Sequence, residues 1–353
     1  MLSTSYTDTR RLMRCVCLGV AGVVLAGCVA TENPESSSSA QAVTSSATSA
    51  EQTSSSVPSS SAPPSSSSQS SVISSSSAPS SSSLASSSSS APNLITTRPN
   101  GGAKQINVDG RSRSYNLYVP DSYPTDRVVP LVLRFHGLGG NGNQEMSSTG
   151  YRQIADQEGF ILVTPSGAPG SAGNAWNVGP CCTSERNVDD VAFVKAIIEE
   201  VSKVANIDNK RIYATGFSMG GGMTHYLACH ASDVIAAFAP EAFDLLQENV
   251  NQCQPARAVP LLSQRATNDN LVIYNGGEDC LTGVCINFLG AMDTNEVWKQ
   301  KNECTNQTTN TNGCVISTQC TDGVEVGLCS TNSGHSPENA QRGWDFMKQF
   351  TLP

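Results

Sequence analysis

The sharpest chemical signal in the sequence is a serine set between glycines, Gly216-Phe217-Ser218-Met219-Gly220. A serine hydroxyl is a weak nucleophile until a neighbouring base takes its proton. The chain has only four histidines, at 136, 225, 230 and 335. His225 and His230 follow the serine on one helix-compatible stretch and cannot easily turn back to it. His136 ends an early strand. His335, in Ser333-Gly334-His335-Ser336-Pro337 beyond the later strands, is the candidate base. A third group must orient the imidazole and stabilise its charged form. Asp269 follows the second strand past Ser218, which respects the chain order serine, acid, histidine. Glu241, Asp244 and Asp279 are competing acids. Attack by Ser218 on a carbonyl puts negative charge on oxygen, which backbone N–H groups can hold. Met219 offers one N–H. Leu138, in His136-Gly137-Leu138-Gly139-Gly140-Asn141, is the candidate for the other. The chemistry is acyl transfer, and it implies no metal and no organic cofactor.

The elements around these residues are those such chemistry needs. Arg211 to Thr215 reads as a strand running into the serine motif, and Met219 to Cys229 as a helix leaving it. A strand–turn–helix of this kind is tight enough to require glycine where backbones pass closely. Strands are also expected at 114–119, 129–135, 160–164, 234–239 and 259–263. Helices are expected at 144–158, at 187–205 with Asn187 as its N-cap, at 289–301 and at 337–350. Alternating strands and helices imply a parallel sheet covered on both faces, an α/β fold.

The chain's ends carry a different message. Arg10, Arg11 and Arg14 precede an apolar run from Cys15 to Leu25. That run is too short to span a bilayer and has the form of an export signal. It closes in Leu25-Ala26-Gly27-Cys28, similar to a bacterial lipobox. The likeness implies a signal peptide over 1–28 and a lipid on Cys28. Val29 then suggests the outer membrane, facing either the periplasm or the outside. Residues 29–94 are serine-rich, most densely from Glu35 to about Ser90, and cannot bury enough apolar surface to offset ordering. They read as a linker, whose Ser-dense part of about 55 residues has an r.m.s. span of roughly 40 Å. One domain remains, 95–353. The formal charge of −9 argues against nucleic acid as a partner. Of the 13 cysteines, Cys15, Cys17 and Cys28 belong to the leader, which leaves an even ten. In an exported domain these are expected to form mostly disulfides. The adjacent Cys181 and Cys182 are expected to bond to separate partners.

The whole domain resembles the poly(3-hydroxybutyrate) depolymerase and feruloyl esterase group, close to carbohydrate esterase family one. The likeness rests on Arg113-Ser-Tyr-Asn-Leu-Tyr-Val-Pro120, Pro130-Leu-Val-Leu-Arg-Phe-His-Gly137, Trp176-Asn-Val-Gly-Pro-Cys-Cys182 and Ile212-Tyr-Ala-Thr-Gly-Phe-Ser-Met-Gly-Gly221. Gly334-His335 continues it in order. The resemblance implies a disulfide-stabilised α/β-hydrolase fold and a serine carboxylesterase with Ser218, Asp269 and His335 as its triad. The sequence departs from the group where Arg265-Ala266 replace the usual His-Gly before the acid, and in extra cysteines at 280, 285, 314 and 329. The serine linker resembles those of plant-wall degraders. The expected substrate is therefore a feruloyl or acetyl ester on a hemicellulose fragment, with hydroxybutyrate oligomers as the alternative. Acyl transfer to another acceptor, or glycan binding without catalysis, are further readings. Trp176 and His136 are candidates to border the substrate, Trp176 by stacking on a ring. Trp176 packing its own loop, and His136 organising its own, are the competing readings. A single chain is expected to act alone.

Overall fold

Strands buried on both faces read as continuous apolar runs, and Leu131-Val-Leu133 and Ile161-Leu-Val163 are of that kind. In the computed structural model both lie at the centre of one sheet. The structure describes residues 94–183, 187–281, 284–337 and 339–353. The export signal, Cys28 and, apart from residue 94, the serine-rich stretch lie outside the described residues.

The first part of the domain contains β1 Gly102–Val108, β2 Arg111–Tyr118, β3 Val129–Phe135, α1 Gly142–Ser148, α2 Tyr151–Glu158, β4 Ile161–Pro165, β5 Ala168–Gly170 and β6 Gly173–Ala175. The second contains α3 Asp190–Val204, β7 Ile207–Phe217, α4 Met219–His230, β8 Ala237–Glu241 and β9 Leu261–Ala266. The last contains β10 Gly277–Leu281, β11 Val284–Phe288, α5 Ala291–Lys301, β12 Thr308–Thr311, β13 Cys314–Ser317, β14 Val326–Thr331 and α6 Ala340–Met347. Ten strands form one sheet in the order β1-β2-β4-β3-β7-β8-β9-β14-β13-β12. The six central strands, β4 to β14, are mutually parallel. Antiparallel pairs extend the sheet at both edges.

Side chains alternate across a strand, and β3 and β7 show the consequence. Leu131, Leu133, Phe135, Ile212 and Ala214 enter one core with Phe193 and Ile197 of α3, Leu227 of α4 and Trp298 of α5. Val132 and Tyr213 enter the other, with Ile154 of α2 and Trp344 of α6. Arg134 interrupts the apolar run of β3 without being exposed. Its guanidinium meets Glu145 at 2.7 Å and Glu241 at 2.6 Å, so the buried charge is paired on both sides.

Several boundaries differ from the sequence reading. The helix expected over 144–158 is two helices, because Thr149 turns to extended backbone (ψ 139°) and caps α1. Gly150 then opens α2 where the Ala340 methyl approaches closely. The N-cap of α3 is Asp189 rather than Asn187; its carboxylate accepts the Ala192 N–H at 2.8 Å. The strand expected over 234–239 is β8, placed at Ala237–Glu241. All ten domain cysteines are paired: 229 with 253, 280 with 285, 304 with 320, 314 with 329, and 181 with 182. The last pair corrects the expectation of separate partners. Cys182 adopts a left-handed φ of 67° that folds it back on its neighbour, and the other eight cysteines already satisfy one another.

Candidate active site

The site begins with strain at Ser218. It has φ 53° and ψ −125°, a conformation that non-glycine residues rarely adopt, and it caps α4. Its own N–H is held by the Glu241 carbonyl at 2.9 Å. The neighbouring glycines are required by close approach. A Cβ on Gly216 would lie 2.2 Å from the Gly220 carbonyl oxygen, and one on Gly220 would lie 2.1 Å from that of Phe135. The turn therefore lifts the hydroxyl off the end of β7.

His335 and Asp269 reach this hydroxyl from two later loops. Asp269 Oδ2 lies 2.8 Å from His335 Nδ1, and His335 Nε2 lies 2.8 Å from Ser218 Oγ. An ionised carboxylate only accepts hydrogen bonds. The imidazole proton therefore sits on Nδ1, and Nε2 is left to accept from the serine. The other Asp269 oxygen accepts the N–H groups of Leu271 and Val272 at 2.9 and 3.0 Å. Burial alone would raise this carboxyl's pKa. The hydrogen bonds from His335, Leu271 and Val272 outweigh burial and hold it below the usual carboxylate range. The two loops are stitched together: Asn268 accepts the Gly334 N–H at 2.8 Å, and Thr267 N–H donates to the Thr331 carbonyl at 2.9 Å.

The competing acids are otherwise engaged. Glu241 is bound to Arg134. Asp244 is ion-paired with the fully buried Arg265. Asp279 lies on the β10–β11 hairpin and does not line the cavity at the histidine. Arg265 stands where a histidine was expected before the acid, and its other nitrogen donates to the Val272 carbonyl at 2.6 Å. The ion pair thus braces the loop that presents Asp269.

The loop after β3 lies against the serine. A Cβ on Gly137 would come within 3.3 Å of the Ser218 Cβ. His136 holds this loop from beneath. Its Nε2 accepts the Gly167 N–H at 2.9 Å, which leaves Nδ1 to donate to the Gly137 carbonyl at 2.6 Å. Burial lowers its pKa, and both nitrogens are occupied. Trp176 is completely buried, with its indole N–H on the His136 carbonyl at 2.9 Å. Neither side chain is placed to touch a substrate. This corrects the expectation for both: their rings pack together, 4.8 Å between centroids, as the support of the loop. Met219 is the first residue of α4, so the helix itself offers no partner for its N–H. The Leu138 N–H likewise has no hydrogen-bond partner among the described residues.

A cavity of about 310 Å³ opens over Ser218 and His335. Its other walls are chiefly apolar: Leu138, Cys182, Phe217, Met219, Phe243, Leu271 and Val272. Sequence reasoning missed Cys182, Phe243, Leu271 and Val272. The apolar pair two residues beyond Asp269 was the available signal for the last two. A larger cavity of about 490 Å³, beside Ile316 and Arg342, contains none of the three catalytic candidates.

A parallel sheet sandwiched between helices, with a serine on a strained strand–helix turn and a histidine and aspartate on later loops, defines the α/β-hydrolase class. Within it, residues 113–253 match the family described as Esterase PHB depolymerase. The chain is 44% identical over 241 residues to Feruloyl esterase B of Piromyces equi, covering 66% of this chain and 44% of that protein. It is 33% identical over 249 residues to the bifunctional acetylxylan esterase/xylanase XynS20E of Neocallimastix patriciarum, covering 69% of this chain and 34% of that protein. It thus spans less than half the length of either relative. An acetyl xylan esterase structure from Aspergillus awamori shares the fold, with a TM-score of 0.53 and 15% identity over 70% of this chain and 99% of that one.

Proposed function

We propose that the domain is a serine carboxylesterase that removes feruloyl or acetyl groups from hemicellulose fragments through an acyl-enzyme. The observation that carries this reading is the hydrogen-bonded line Asp269–His335–Ser218 at the floor of an apolar cavity. His335 Nε2 takes the Ser218 proton as Oγ attacks the ester carbonyl carbon. The carbonyl oxygen becomes an anion held by the Met219 and Leu138 N–H groups. Collapse expels the sugar oxygen, which leaves with the proton from Nε2. Water, deprotonated by the same nitrogen, then releases the acid and restores Ser218. Asp269 keeps the imidazole in the required tautomer throughout. The named activities of the two relatives support the substrate class, and the apolar cavity suits an acyl group.

The test is a panel of methyl ferulate, acetylated xylan, short p-nitrophenyl esters and hydroxybutyrate oligomers. Turnover of the first two, lost by several orders of magnitude in Ser218→Ala, is the expected result. Turnover of hydroxybutyrate oligomers alone would move the reading to polyester. Five disulfides among the described residues support an exported enzyme. We further propose that Cys28 carries a lipid and that residues 29–94 tether the domain to a membrane. Cys28→Ser should then shift the protein from the membrane to the soluble fraction.

A further inference from the structure

We propose that the disulfide between the adjacent residues Cys181 and Cys182 is a specificity-determining wall of the acyl cavity, holding it in the shape that favours an aryl acyl group over acetyl. This rests on the esterase reading and deepens it.

Three observations meet at this pair. Cys181 is fully buried and belongs to the main core with Val178 and Trp176, so one half of the bridge is anchored. Cys182 lines the same cavity as Ser218, Leu138, Phe243 and Leu271. Between them the backbone makes a three-residue turn: the Thr183 N–H donates to the Cys181 carbonyl at 2.9 Å around a Cys182 φ of 67°. A γ-turn of this hand is rare and strained, and such conformations persist only where the surroundings enforce them. A bond between the two sulfurs is such an enforcement. With the bond open, Cys182 is free to return to negative φ, and its side chain then leaves the wall.

The chemistry of the wall matches an aromatic ligand. A disulfide presents polarizable sulfur without a hydroxyl or charge, and sulfur makes favourable contacts with ring edges. Leu138, Phe243 and Leu271, which line the same cavity, are apolar. An acetyl group on Ser218 ends in a single methyl and leaves most of the 310 Å³ unfilled. A ring joined to the carbonyl through a short spacer fills that space and depends on the wall's position. Selectivity between the two esters is therefore tied to the oxidised state of this pair.

The experiment compares kcat/KM for methyl ferulate and p-nitrophenyl acetate in the wild type and in Cys181→Ala/Cys182→Ala. The expected result is a ferulate-to-acetate ratio lowered about tenfold, with circular dichroism unchanged. An unchanged ratio, whatever the absolute rates, overturns the proposal. If the double variant does not fold, the wild type is treated with a small dithiol. That reagent leaves as its cyclic disulfide while the two cysteines take up its electrons and protons. Alkylation and peptide mapping give the fraction opened at 181–182, and the ratio should fall in step with it; a ratio indifferent to that fraction also overturns the proposal. Failure of the esterase reading looks different: wild type that hydrolyses neither ester, or that hydrolyses them equally well as Ser218→Ala.

Discussion

Two neighbouring loops at the same end of the central sheet present buried carboxylates, and they use them differently. The end of β8 and the loop after it carry Glu241 and Asp244. Each is paired with a buried arginine, Arg134 and Arg265, that never gives up its proton. The loop after β9 carries Asp269, whose side chain is equally inaccessible but whose partner is an imidazole. An imidazole can take up a proton and give it back during a reaction. Burial of a carboxylate is therefore not what marks the candidate catalytic aspartate here. The partner is, together with the loop that presents it. The two regions are also coupled, since Arg265 donates to the Val272 carbonyl while the Val272 N–H is held by Asp269.

The comparison breaks first if the two kinds of carboxylate respond alike to substitution. Asp269→Asn should lower kcat about 10⁴-fold, because an amide in that place favours the wrong imidazole tautomer. Its thermal midpoint should stay near that of the wild type. Asp244→Ala should do the reverse. It leaves Arg265 charged and unpaired in the interior, which costs about 3–5 kcal/mol, while kcat of the folded protein stays within about tenfold. Activity assays and urea unfolding on both variants decide the matter. A catalytic collapse in Asp244→Ala as deep as that in Asp269→Asn would erase the distinction.

A second pair of regions sharpens the same point for the disulfides. The Cys229–Cys253 bridge closes a loop from the end of α4 to the chain before β9, away from the cavity walls. Loop closure of that length predicts a loss of about 3 kcal/mol in Cys229→Ala/Cys253→Ala. The ratio of ferulate to acetate turnover should not move. Should it move as far as in the Cys181/Cys182 variant, the selectivity change would be a general effect of loosening the domain.

The sequence revealed the centre of this molecule better than its rim. Apolar runs buried on both faces gave away β3, β4 and β7, and the glycines around Ser218 are demanded by contacts closer than any Cβ permits. Four histidines and strand order led to His335 and Asp269, which the structure brings into one hydrogen-bonded line with Ser218. Strands β1, β5, β6 and β10 to β14 escaped notice. β12 is a wholly exposed Thr-Thr-Asn-Thr stretch that owes its extended form to pairing with β13 rather than to any pattern of its own. Trp176 misled because an aromatic residue near a site reads the same whether it faces a ligand or supports a loop. Arg265 looked like a departure from the family pattern. Only the contact with Asp244, joining residues 21 apart in sequence, shows its work.

The smallest test of the two-loop comparison uses pH, because the two carboxyls are perturbed in opposite directions. Asp269 is depressed in the folded state. Its contribution to stability is present above the unfolded carboxyl range and is lost as pH falls through the lower folded value. Asp244 is raised from 3.8 to about 6, chiefly by burial, with Arg265 opposing. Between those values the folded protein holds a proton that the unfolded chain has released. Stability from this group therefore declines as pH rises from about 4 to 6, by on the order of 1–3 kcal/mol. Asp244→Asn has no proton to lose in that window. Its unfolding free energy, measured from pH 4 to 6, should rise more steeply than that of the wild type, whereas Asp269→Asn should lose only the acid-side fall below that range. Parallel curves for wild type and Asp244→Asn would mean that Arg265 keeps Asp244 ionised at every pH tested. The two loops would then differ in partner but not in the direction of their titration.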